Sequence, residues 1–100
     1  MARTMRMETW SRHDGESLAD PVRDVCASLY TDDELVAEVE LTGEEAAAFT
    51  GLHEDAPVEP LLVAMFREQG VVRVEYDDHA DDGLSSTGMT SRDRWHVTVE

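Results

Sequence analysis

The chain has 100 residues, 41% of them hydrophobic, and a formal net charge of −15 from 23 acids against 8 basic residues. That length fits one domain with a modest core, and the longest unbroken apolar run, Leu61 to Phe66, is far short of the roughly 20 residues a membrane helix needs. A single cysteine, Cys26, excludes an intrachain disulfide framework.

The N-terminal "MARTMRMETW" has arginines but no apolar segment of a secretory signal, so the reading places the chain in a reducing cytoplasm. Met5, Met7 and Thr9 alternate with Arg6, Glu8 and Trp10, which predicts an edge strand or a loose arm over residues 1–17. Residues 18–100 then read as a single domain. In "DPVRDVCASLY", Asp20 suits an N-cap and Pro21 a first helical position. Val22, Val25, Cys26 and Leu29 recur at helical spacing, so a first helix is predicted over 20–30.

"ELVAEVEL" alternates Leu35, Ala37, Val39 and Leu41 against Glu34, Val36, Glu38 and Glu40, a half-buried strand over 34–41. Leu35, Val36 and Val39 also allow a helical reading. Thr42 and Glu45 form a capping box before three alanines, and Gly51 is a stop, so a second helix is predicted over 43–50. "HEDAP" is a turn. Pro57 or Pro60 opens a third helix, with Leu61, Leu62, Met65 and Phe66 as its inward stripe and Gly70 as its end. "VVRVEY" sets Val72, Val74 and Tyr76 on one face of a strand and Val71, Arg73 and Glu75 on the other. Residues 77–93 read as a long polar loop, and Trp95, Val97 and Val99 as the inward face of a last strand over 94–99. Joined directly, the last two strands are expected to pair antiparallel.

The predicted fold class is α+β, three helices with a small antiparallel sheet in the order helix, strand, helix, helix, strand, strand. With "LTGEEAAAFTGL" and "PLLVAMFREQGVVRVEY", that order resembles a winged helix-turn-helix domain of transcription regulators over residues 20–99. The resemblance implies a third helix that reads DNA and a wing at 77–93. The positions that would contact DNA are Arg67, Gln69, Arg73, Arg92 and Arg94. The sequence departs from the pattern where a reader needs polar or basic side chains. The region leading into the third helix, "EDAPVEPLLVA", offers Glu54, Asp55 and Glu59, and the wing begins "DDHADDG".

All eight basic residues are arginine, and residues 31–60 hold ten acids and no arginine. Acids spread over every element, with no lysine, resemble a haloarchaeal proteome. At molar salt the Debye length falls to about 3 Å, so dense carboxylates repel one another weakly. The expected partners are therefore DNA at high salt, or a protein partner or second copy. A dimer that aligned Arg3, Arg6, Arg12, Arg92 and Arg94 would make one basic stripe. A protein interface is expected at Trp10, Met5 and Met7, with Val58 and Val63 exposed on the third helix.

Catalytic and metal chemistry find little footing. His13, His53, His79 and His96 lack paired metal spacing. "DDHADDG" is not an EF-hand loop, because counting from Asp77 the third ligand place is His79 and Gly83 falls at seven. Ser85, Ser86 and Thr87 have no His and Asp at a defined spacing. Cys26 reads as a small core residue. No enzyme, cofactor, metal or membrane role is expected.

Overall fold

The computed structural model describes residues 3–47, 58–86 and 88–100. It is a five-stranded antiparallel sheet with two short helices, so the expected winged helix is overturned. The strands are β1 (Arg3–His13), β2 (Val22–Thr31), β3 (Glu34–Thr42), β4 (Val71–Ser85) and β5 (Gly88–Val99), ordered β3-β2-β1-β5-β4 across the sheet. The helices are α1 (Gly43–Ala47) and α2 (Val58–Met65), followed by a 3-10 turn at Arg67–Gln69.

The segment read as an arm is the central strand. β1 alternates cleanly, with Met5, Met7, Thr9, Ser11 and His13 buried. It pairs with β2 from Arg6 to His13 and with β5 from Arg3 to Arg12. That pairing also explains the lost first helix. Val25, Ala27 and Leu29 alternate as well as they repeat helically, and valine, cysteine and tyrosine are mediocre helix formers. A register shift beside His13 lets Val22 face inward too, which produced the helical spacing.

β2 and β3 form a tight hairpin at Asp32 and Asp33, both at positive φ (50° and 69°), the mirror-image turn whose twist suits paired strands. In β3 the expected inward alternation holds for Ala37, Val39 and Leu41. A shift between Leu29 and Tyr30 turns Leu35 to the other side.

Helical expectations survive partly. α1 covers the start of the second helix; its residues 48–50, Gly51, the turn with His53, and Pro57 lie outside the described residues. α2 covers the start of the third helix and stops at Met65, and the 3-10 turn after it ends at Gly70 in the left-handed region at φ 86°. The segment from 43 to 70 carries the chain from the β3 edge to the β4 edge, about 19 Å over four strand spacings. α1 packs on β2 and β3, and α2 on β4, so one sheet face is covered.

The core lies between. Leu62, Phe66, Met7, Leu29, Trp95 and Val97 are fully enclosed. The hairpin of the last two strands is present and far longer than expected, because 77–85 and 88–93 are strand, not wing. Three register shifts in β4 rotate its side chains, so Val71 and Val74 both point inward while Val72 is exposed.

Candidate functional site

Side chains opposite one another in an antiparallel sheet share a face, so the registers give the content of each face. On the covered face, β1 and β5 change chemistry along their length. Met5, Met7, Trp95 and Val97 are apolar, and Thr9, Ser11, Asp93 and Ser91 next to them are polar and buried.

At this junction the Trp95 indole N–H donates to Thr9 Oγ1 at 2.9 Å. Asp93 is wholly enclosed. Its Oδ1 accepts from the Tyr76 hydroxyl at 3.1 Å and from His79 Nδ1 at 3.0 Å. His79 Nε2 lies 2.7 Å from Asp82 Oδ1. The hydrogen bond to Asp93 is the main cause that raises the His79 pKa above its ordinary value, with Asp82 adding to it. Burial, then Asp93, pushes the Tyr76 phenol up to about 12. His79 thus bridges Asp93 on β5 and Asp82 on its own strand, and with Tyr76 it ties β4 to β5. Among the described residues no group of three or more His, Cys, Asp or Glu is arranged to hold a metal.

The other face carries neither α1 nor α2. Its central strands hold Arg6, Arg12, Arg92 and Arg94 with Trp10, and its flanking strands hold acids. One row runs Glu40, Cys26, Trp10, Arg92, Asp81; the next runs Glu38, Ser28, Glu8, Arg94, Asp78. The arginines are engaged within the sheet. Arg12 grips Asp24 with two bonds of 2.7 and 2.9 Å, which raises its pKa further. Arg6 meets Glu8 and Asp33 and lies 4.8 Å over the Tyr30 ring. Arg92 stacks 4.9 Å over Trp10 and approaches Glu8 at 3.6 Å. Arg94 approaches Asp78 at 3.6 Å.

Beside that stack is a shallow concavity of ≈ 280 Å³ lined by Trp10, Arg12, Asp24, Cys26, Glu40 and Thr90. Trp10 is 37% exposed. Cys26 is half-buried here and not in the core, a correction that follows from β2 being a strand. Burial, then Glu38, raises its pKa, which keeps the thiol protonated.

The residues expected to contact DNA divide. Arg73, Arg92 and Arg94 share the open face, with Arg73 paired to Glu75. Arg67 and Gln69 lie apart, in the 3-10 turn after α2. The stripe foreseen for a dimer forms within one chain from Arg6, Arg12, Arg92 and Arg94, without Arg3. Of the expected interface residues, Trp10 is at the surface, Val63 is half-buried, and Met5, Met7 and Val58 are in the core. Met5 and Met7 are covered because β1 is central, and Val58 because α2 turns it toward the sheet.

His79 and Asp93 fall within 77–93, whose composition predicts a long polar loop. The missed signal was the alternation of Ser91, Asp93 and Trp95, which continues the inward face of β5.

The fold and this face define a small α+β domain with one covered and one open sheet surface. No protein-family model, curated protein or solved structure matches the chain. Among the described residues no helix is long and apolar enough to cross a membrane.

Proposed function

We propose that the chain is a protein-interaction module of a salt-rich cytoplasm, docking its partner on the open face of the sheet. The observation that carries this reading is Trp10, partly exposed in a shallow concavity at the middle of a face that neither helix covers. Tryptophan supplies large contact area at little entropic cost, and such anchors dominate interface energies.

The test is peptide display in molar KCl against the wild-type protein and Trp10→Ala. Peptides that bind the first and lose the second support the reading. Binders indifferent to Trp10→Ala overturn it.

A second reading is single-stranded nucleic acid, favoured by the arginine stripe interleaved with Trp10 and Tyr30, since bases stack on such rings. The acidic margins on β3 and β4 and the arginine–carboxylate pairs weigh against it, because phosphate must displace those pairs. Anisotropy of a labelled oligonucleotide in molar KCl decides it.

A further inference from the structure

The concavity on the open face has an asymmetric charge. Arg12 and Asp24 cancel through their two-bond pair. Glu40 remains on the rim, exposed, and Glu38 stands in the next row. Cys26 and Trp10, on neighbouring strands, line it as well. Thr90 spends its hydroxyl proton on the Gly83 carbonyl at 3.1 Å, so it offers an oxygen acceptor. The lining thus presents an aromatic surface, a carboxylate and an acceptor, with its own cation Arg12 paired to Asp24 and Arg92 stacked on the Trp10 ring beside it.

That combination fits a planar cation. A guanidinium stacks on an aromatic ring and donates in its plane to carboxylates. The sheet accepts this group twice already, Arg92 over Trp10 and Arg6 over Tyr30. A chain of net charge −15 also selects cationic segments over acidic ones. At molar salt the long-range attraction is screened, whereas stacking and a direct hydrogen bond act at contact. Resting on the interaction reading above, we infer that the concavity receives an arginine side chain of the partner protein, its guanidinium between Trp10 and Glu40. Arginine is preferred to lysine because an ammonium neither stacks nor forks.

The experiment is an NMR titration of the intact protein in molar KCl with three blocked pentapeptides, Gly-Gly-X-Gly-Gly, where X is arginine, lysine or citrulline. Citrulline keeps the shape and loses the charge. The expected result is saturable shifts of the Trp10 indole and of the Cys26, Glu40 and Thr90 amides with the arginine peptide, and weaker binding of the other two. Glu40→Gln, an exposed substitution that leaves the fold intact, raises the arginine Kd about tenfold. No saturable shift, equal shifts with citrulline, or an unchanged Kd in Glu40→Gln each overturns the inference. Display binders that need Trp10 but carry no arginine sink the inference and leave the interaction reading standing; binders that ignore Trp10 sink both. Shifts on β3 that grow with protein concentration alone assign the face to a second copy and also overturn it.

Discussion

The buried Asp93 carboxylate and the His79 ring are opposite one another across β5 and β4, 3.0 Å apart. Their bond makes stability depend on pH with a definite sign. The His79 pKa is raised on folding, first by the hydrogen bond to Asp93. A raised histidine contributes stability that is fully present below its unfolded pKa, about 6.5, and lost as pH rises through the folded value. Urea unfolding of the wild type and His79→Gln should therefore differ most on the acid side of that value. The gap should close above the raised folded pKa. A gap that widens with pH would show that the imidazolium is not the stabilising form.

The bond from the Trp95 indole to Thr9 joins residues 86 apart in sequence at the point where the covered face turns polar. Thr9→Val keeps the shape and removes the acceptor. It should cost about 1–3 kcal/mol, the penalty of a buried donor left without a partner. Thr9→Ser should recover most of that. Chemical denaturation midpoints measure both.

The parts of the fold that depend on local pattern were legible. β3 alternates, Gly70 closes the turn that follows α2, and Trp95, Val97 and Val99 face inward as their spacing says. The parts set by long-range pairing were not. Nothing local in residues 22–31 distinguishes a strand from a helix, because Val25, Ala27 and Leu29 satisfy one period and Val22, Val25 and Leu29 the other. The choice is made by β1, which needs a partner on each side. "TDD" held a clue, since two consecutive aspartates tolerate the left-handed region that a tight hairpin requires. In "YDDHADDG" the acids hid a strand, because its register shifts at Asp78 and Asp81 break the alternation. The open-face site was legible only as an exposed Trp10. Its neighbours Cys26, Glu40 and Thr90 come from three other strands.

Gly70 makes a strict backbone demand. At φ 86° an added Cβ would lie 2.4 Å from the Glu100 carbonyl oxygen, and the Glu100 amide donates back to the Gly70 carbonyl at 2.9 Å. Gly70→Ala should lose at least about 1–3 kcal/mol through the left-handed conformation alone, with the clash added. Gly83→Ala is the control. Its nearest neighbour would be Thr90 Oγ1 at 3.8 Å, and the change should stay within about 0.5 kcal/mol.

Salt acts on this chain in two opposed ways. Dilution strengthens the arginine–carboxylate pairs of the open face and also the repulsion among acids. With 23 acids against 8 arginines, pairing every arginine still leaves 15 carboxylates in excess. Exposed pairs contribute at most about 1 kcal/mol each, whereas the excess charge repels over a Debye length that grows from about 3 Å in molar salt to about 10 Å at 0.1 M. Repulsion should win, and the melting temperature should fall as KCl is diluted. Glu34→Gln with Glu40→Gln removes two charges from the β3 edge without touching the core, and should make that fall shallower. A melting temperature independent of KCl in the wild type would mean that the carboxylates are balanced within the fold, and the case for a saline habitat would go with it.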